Sequence, residues 1–595
     1  MADSWAESLV VSIPKKGDLA DMNNYRGISL MATVLKVVCV LLTMRVNEEA
    51  EARNLFSRAQ AGFRKREECV TQVACVMEII QRRRLVEQPT YVVFVDLKKA
   101  YDTVPHEALF AKLSRFGIRG RCLAFIRALY RSSTIRVRVG GGTTALYSDS
   151  CRLLRGVRQG CPFSPTLFNI FINDLTDGTE ESGVLVPTGD RRTWRDSTLT
   201  VGCTLFADDA AGICPSLEAA KRFCARVTRW NADNEMSVGI SKCGLMEFLP
   251  IESPLLPLTP GQEVERVTLD GLPCLVVDKY MYLGMLMTPG LTLESMVHHR
   301  FGQGKATVAT LLPFLRCPVL PMSMRLATVA VVIAPRLLFG AELYGMKRTL
   351  TDRMQVLMNR ALRACIGARG AGKLPSVGLW KEVRQVPICA SAGARRARAY
   401  AKAKTLKTWL QEMVLQPFRS VCWTWCSGVQ RWLKGKAFPH STNRALATTW
   451  ATLDPKVLAA EVKACVMARE CKLRRLPTRP TGGRTVWYET AVFGDSCLTG
   501  SSVGGRPEDQ AGLSLILRCR IGAFVTIPIL VGWQRMPDRY LNRCPFCNRD
   551  EPETLEHIVF TCEKWRECAL TVVAVTNRRN FCCCHRSHSC RPCYR

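Results

Sequence analysis

The sequence is short of acid. It carries 51 Asp and Glu against 83 Lys and Arg in 595 residues, a net charge of +32. That deficit disfavours a cationic partner and points to a polyanion, nucleic acid first and an anionic membrane surface second. Long apolar runs are missing too. A spanning helix needs about 20 consecutive apolar residues. The best stretches here, MATVLKVVCVLLTM (31–44) and LATVAVVIAPRLLFG (326–340), are short and broken by Lys36, Pro335 and Arg336. Both read as core helices, and no membrane partner is expected. The opening MADSWAESLV lacks the basic-then-apolar layout of a secretory leader. The 29 cysteines therefore do not read as a disulfide framework. Many sit inside apolar runs (Cys39, Cys75, Cys203), as small core residues of a reducing, intracellular compartment do. Internal repeats and low-complexity tracts are also absent. What is present is a globular balance, 47% hydrophobic and 23% charged, in a chain long enough for several domains.

Three segments carry the informative patterns. YVVFVD (91–96) begins with five apolar or aromatic residues rich in β-branched types and reads as a buried strand with Asp96 at its end. CTLFADDAAGI (203–213) is an apolar run, two aspartates and a second apolar run. Two short strands joined through the acidic pair make a β-hairpin, unless the pair is simply a solvated acidic turn. Laid beside the Asp96 strand, that hairpin would gather Asp96, Asp208 and Asp209. Three carboxylates repel one another unless cations meet them. Hard Mg²⁺ ions take oxygen ligands, and two of them are the machinery of in-line phosphoryl transfer. The alanines after the acids are small for a strand core and weaken it slightly. Between the two strands, LLRGVRQGCPFSPTLFNIFINDL (153–175) reads as a Gly-rich turn leading into an amphipathic helix, its glycine allowing close approach to a ligand.

Farther on, ARRARAYAKAKTLKTW (394–409) carries Arg395, Arg396, Arg398, Lys402, Lys404 and Lys407 with no acid. It reads either as a solvated helix face or as a surface that meets phosphates. LPTRPTGG (476–483) and GSSVGGRPEDQ (500–510) read as linkers. CPFCNRDEPETLEHIVFTC (544–562) has the spacing C-x₂-C-x₉-H-x₄-C. Cys544 and Cys547 form a tight knuckle, and His557 and Cys562 are expected on a helix. Thiolates and an imidazole so spaced favour one structural Zn²⁺. The tail CCCHRSHSCRPC (582–593) has Cys584, His585, His588, Cys590 and Cys593 but no defined ligand pattern, and reads as unstructured.

In order, Asp96 with KAYD, RGVRQGCPFSP and FADD resemble the successive palm motifs of reverse transcriptases, closest to those of non-LTR (LINE-type) retrotransposons. IPKKGDLADMNNYRGISL (13–30) and QAGFRKREECVTQ (60–72) resemble that family's finger motifs, SVGISKCGLMEF (237–248) and YMYLGMLM (280–287) its later palm and primer grip. The resemblance implies an α+β right-hand polymerase. Fingers would take 1–90, palm 91–290, a helical basic thumb and connection 291–475, a linker 476–510, a zinc-knuckle region 511–570 and a Cys-rich tail 571–595. It implies Asp96, Asp208 and Asp209 as ligands of two Mg²⁺ ions, with Asp209 the weaker. Tyr101 would lie below the incoming sugar and exclude a 2′-hydroxyl, its alternative being a core tyrosine. Gln159 and Gly160 would line the nucleotide and template pocket. Lys16 (or Lys15) and Arg26 would hold the triphosphate, and Lys242 would protonate pyrophosphate unless it is a surface lysine.

The implied activity is RNA-directed DNA synthesis from a DNA primer or nicked target, on an RNA template, with dNTPs, in the nucleus. The alternatives are an RNA-dependent RNA polymerase, which Tyr101 opposes, and an inactive remnant that binds RNA through thumb and knuckle. No nuclease motif accompanies the polymerase motifs, so the chain reads as a fragment of an element whose endonuclease lies elsewhere.

Overall fold

The computed structural model describes residues 3–565 except 16, 22–23, 141–144, 251, 254–256, 369–375, 421, 438–449, 474–512, 516, 519–525, 533 and 556. The linker expected at 476–510 and the tail at 571–595 lie outside the described residues. Two compact units divide the chain. One comprises Met1–His299, Gly340–Met346 and Ala392–Val462; the other comprises Arg300–Phe339, Lys347–Ser391 and the residues from Lys463 on.

The first unit holds two principal sheets. In chain order its elements include β1 (Glu7–Pro14), β2 (Tyr25–Leu30), α1 (Thr33–Ala52), α2 (Cys69–Leu85), β3 (Thr90–Asp96), β4 (Thr134–Val139), β5 (Cys203–Phe206), β6 (Asp209–Cys214), α3 (Leu217–Asp233) and β7 (Gly244–Phe248). β1 pairs antiparallel with β2 and parallel with β4. The second sheet has the order β5-β6-β3-β7, antiparallel throughout. Its central strand β3 is buried from Thr90 to Val95 and opens only at Asp96, as expected of an apolar run covered on both faces. Because β4 joins the β1–β2 sheet, a boundary at residue 90 does not separate the two sheets.

The alanines of β6 are buried in the core. A side chain added at Gly212 would lie 2.3 Å from the Phe223 ring of α3. Ala210, on the same strand face as Gly212, is buried, as is Phe223, so small residues on that face let the helix approach the strand. α2 is buried almost all round, even at Glu78 and Arg82, which pair at 2.7 Å. The remaining donors of Arg82 bond the carbonyls of Pro187, Gln416 and Met413, and Glu78 accepts the Cys426 N–H at 2.9 Å. These bonds tie the 409–432 segment to α2, which is why residues 291–475 are not one thumb body.

Two further expectations change. Residues 33–52 are helical, but α1 buries only Leu35, Cys39 and Ala50 while Val34, Val37, Leu41 and Met44 stay more than half exposed. Likewise, Val331 in the 326–340 run is 72% exposed. No helix among the described residues is long and apolar enough to cross a membrane. The basic 394–409 segment is largely a core element. Arg396 is buried with Ala394, Ala397, Ala399 and Tyr400. Arg395 meets Glu342, Lys402 meets Glu68 at 2.5 Å, and Lys407 donates to Asn54. The acids missing from the local sequence arrive from elsewhere in the fold.

In the second unit the helix Arg348–Cys365 presents a buried polar row. Asn359 Oδ1 accepts from both Gln355 and Trp380, each at 2.8 Å, while Gln355 Oε1 accepts the Ile388 N–H at 2.7 Å. Each of these polar atoms is thereby satisfied away from water.

Candidate active site and Cys/His cluster

The expected hairpin forms. β5 and β6 pair through Phe206↔Asp209, leaving Ala207 and Asp208 as a two-residue turn. Ala207 is left-handed, with φ +58°. β6 pairs with β3 in the register Asp209↔Asp96. Residues directly opposite on antiparallel strands share a face, with Cβ atoms about 5 Å apart, so strand pairing sets two carboxylates side by side. The turn adds the third.

Opposed like charges are destabilising, and the local electrostatics register it. Burial and the charge of Asp96 raise the Asp208 carboxyl above its ordinary value, against the pull of Lys242 and Arg26. Burial, then Asp208 and Asp96, push Asp209 up to about 6. Lys242 Nζ donates to Asp96 Oδ2 at 3.1 Å. An all-oxygen donor set with surplus negative charge fits a hard divalent cation.

The other expected residues are distributed as follows. Tyr101 stacks on Phe168 at 4.7 Å and meets Phe63 edge-on. Burial, then the charge of Asp208, push its phenol well up. Its hydroxyl is buried with no hydrogen-bond partner among the described residues. Arg26 is exposed on β2 and acts on Asp208 through its charge. Lys16 lies outside the described residues; the backbone N–H of Lys15 donates to Asn24 at 2.6 Å. Gln159 is engaged within the protein, its amide donating to Asp102 at 2.9 Å and its carbonyl accepting the Ser29 N–H at 2.6 Å. A Cβ on Gly160 would lie 2.8 Å from the Ser29 carbonyl, at φ +111°. Glycine at this position permits close approach to β2.

The cysteine cluster assembles as its spacing predicts. One ligand atom from each of Cys544, Cys547, His557 and Cys562 lies within 4.8 Å of the others. Cys544 accepts the Asn548 N–H and donates its own to Arg549, with Asn548 left-handed, which closes the knuckle. The second pair lies not on a long helix but on one wide turn, His557–Thr561, closed by Cys562 N–H to the His557 carbonyl at 2.6 Å. His557 Nε2 faces Cys547 Sγ at 3.3 Å, and Nδ1 sits 3.0 Å from Glu551 Oε2. A carboxylate behind the imidazole fixes its orientation toward a metal. Three sulfurs and one nitrogen at these separations fit a tetrahedral Zn²⁺.

Residues 13–287 match the family Reverse transcriptase (RNA-dependent DNA polymerase). The chain carries a reverse transcriptase domain. Its relatives include a Pol polyprotein from the type-1 retrotransposable element R2 of Popillia japonica, 26% identical over 61% of this chain and 48% of that protein. Others are the RNA-directed DNA polymerases of the mobile element jockey (22% identical, 61% and 38%) and, as a probable one, of transposon BS (24%, 60% and 38%), both from Drosophila melanogaster. These relatives are proteins of retrotransposons and mobile elements. The chain spans about half the length of the R2 relative and less of the other two. Among solved structures, apo telomerase from Candida tropicalis is 11% identical over 61% of this chain and 63% of that one, with a TM-score of 0.34.

Three side chains of the reverse transcriptase domain escaped the sequence reading. Gln60 is buried against the Ala207–Asp208 turn. Gln72 donates to the carbonyls of Ala59 and Leu205. Tyr280 stacks on Phe94 at 4.0 Å and donates to the Lys242 carbonyl at 2.8 Å, bracing the lysine that meets Asp96. Gln60, Gln72 and Tyr280 all stand within quoted motifs, but a buried polar side chain has no signature in one sequence, because its partners are distant in the chain.

Proposed function

We propose that this chain is an RNA-directed DNA polymerase that extends a DNA 3′ end on an RNA template. The observation that carries the reading is the meeting of Asp96, Asp209 and the turn residue Asp208 at one end of a buried sheet. These carboxylates would hold two Mg²⁺ ions. Bound there, the ions would lower the pKa of the primer 3′-hydroxyl and neutralise charge on the departing pyrophosphate. The chain's own residues supply the rest. Lys242, which pairs with Asp96, would give a proton to pyrophosphate. Arg26 offers an exposed guanidinium to the triphosphate of a dNTP, with Lys16 as its partner. The Tyr101 ring, held by Phe168, blocks a 2′-hydroxyl by bulk and so favours deoxynucleotides.

The Cys544, Cys547, His557 and Cys562 cluster would carry one structural Zn²⁺ and add to RNA or target-DNA binding. The primer would be the end of a nicked chromosomal target, which places the work in the nucleus. Purified protein should extend oligo(dT) on poly(rA) with dTTP and Mg²⁺, and not after Mg²⁺ is withheld. Failure to extend, with RNA still bound, would instead leave an RNA-binding remnant.

A further inference from the structure

Gln60 has no assigned part in the chemistry, yet it is fully buried. Its Oε1 accepts the Ala207 N–H at 2.9 Å and the Gly62 N–H at 2.7 Å, and its Nε2 donates to the Ala207 carbonyl at 3.2 Å. One amide thus grips both backbone groups of the residue that precedes Asp208. Ala207 is the left-handed residue of the turn, a conformation unfavourable to a residue with a Cβ. The approach is close because residue 62 is glycine: a Cβ there would stand 2.2 Å from the Ala207 nitrogen.

The grip is itself held from behind. Arg64 donates to the Gln60 carbonyl at 3.0 Å and to the Ser57 carbonyl at 2.9 Å, and pairs with both oxygens of Glu51 at 2.7 and 2.8 Å. Ala61 N–H to the Leu205 carbonyl and Leu205 N–H to the Ala59 carbonyl extend β5 onto this loop. The carboxylate of Asp208 therefore sits on a turn whose geometry is imposed from 147 residues away.

We infer that Gln60 is a positioning residue: it clamps the Ala207–Asp208 turn so that Asp208 meets Asp96 and Asp209 before any cation or nucleotide binds. The inference rests on the proposed polymerase activity for its kinetic consequence but not for its structural one. Carboxylates held in place bind a divalent ion without first ordering a loop. A turn released from the clamp must be ordered by the ion, so the ion binds more weakly.

The test uses the full chain in three forms: wild type, Gln60→Leu, and Gln60→Leu with Ala207→Gly. Gly adopts the left-handed turn without a Cβ penalty. Without substrate, amide exchange in 203–214 should speed up at least tenfold in Gln60→Leu while exchange in 217–233 stays put, and the added Ala207→Gly should recover part of the loss. In primer extension, the Mg²⁺ concentration for half-maximal rate should rise about fivefold in Gln60→Leu, fall back in the double variant, and leave primer–template affinity within twofold. Unchanged exchange in 203–214, or an unchanged Mg²⁺ requirement with a reduced rate, overturns the clamp. General unfolding of Gln60→Leu that Ala207→Gly fails to relieve also overturns it. A wild type that does not extend primers would sink the polymerase reading alone, since the exchange experiment still judges the turn.

Discussion

The two clusters of candidate metal ligands differ in how the chain brings them together. Cys544, Cys547, His557 and Cys562 fall within one short stretch and meet through a knuckle and a single wide turn. Asp96 and Asp209 are far apart in the chain and meet only because β6 and β3 pair in one register. A local cluster needs little from the rest of the fold, and with so small a core around it such a segment would be stabilised by the ion proposed for it. The carboxylate cluster shows the converse: the sheet holds it together against its own repulsion, and an ion bound there would contribute chemistry instead of structure.

Removing one acid should give the largest effect. Asp208→Asn should cut primer extension at least a hundredfold, as loss of several kcal/mol of transition-state stabilisation requires. Its melting temperature should be unchanged or higher, because a repelled charge is removed. A loss of stability instead of rate would erase the contrast between the clusters.

The cysteine side is expected to behave the other way. Full-length protein should hold about one equivalent of zinc, and Cys544→Ser with Cys562→Ser should lose it. Amide exchange in 541–565 should then rise while extension of a short primer–template keeps most of its rate. Zinc retained in full by the double variant would refute the site.

Smaller effects sharpen the acidic side. Tyr101→Ala should raise ribonucleotide use relative to deoxynucleotides about tenfold, measured by single-nucleotide insertion. Tyr101→Phe should leave that ratio unchanged and cost no stability, because the hydroxyl it removes is buried without a partner among the described residues. A Tyr101→Ala ratio equal to wild type would make Tyr101 a core residue only.

The smallest effect concerns Glu67, which accepts from the Lys407 N–H and the Thr408 hydroxyl. Burial, against those donors and the nearby Arg64 and Lys402, pushes its carboxyl from 4.5 up to about 7. The folded protein therefore keeps a proton that the unfolded chain releases, and stability falls as pH rises from 4.5 through about 7. Glu67→Gln should raise the melting temperature by a few degrees at pH 8 and leave it unchanged at pH 4.5. An equal gain at both would mean that the effect is not protonation.

Much of the acidic site was legible. The buried strand ending at Asp96 and the hairpin through Asp208 and Asp209 followed from apolar runs interrupted by acids, a pattern that near neighbours in the chain decide. The knuckle was legible for the same reason, since ligand spacing is itself local; only the helix expected for His557 and Cys562 gave way to a single turn. What depended on distant partners was not legible. The run 394–409 read as either a solvated helix face or a phosphate-facing surface because no acid stands within it, and the fold then supplied Glu68 and Glu342 from elsewhere. That the glycine of RQGC also lies against the Ser29 carbonyl was not visible either. The thumb looked continuous, and its latter part is bonded to α2 by Glu78 and Arg82.

By itself the sequence determined which residue types the site would use, because hydrophobic periodicity and ligand spacing act over a few residues. Only the tertiary structure decided how those residues are held: the Asp96–Asp209 register, the left-handed turn under Asp208 and its grip by Gln60. Hydrogen bonds and charge pairs between remote segments are satisfied only once the chain has folded.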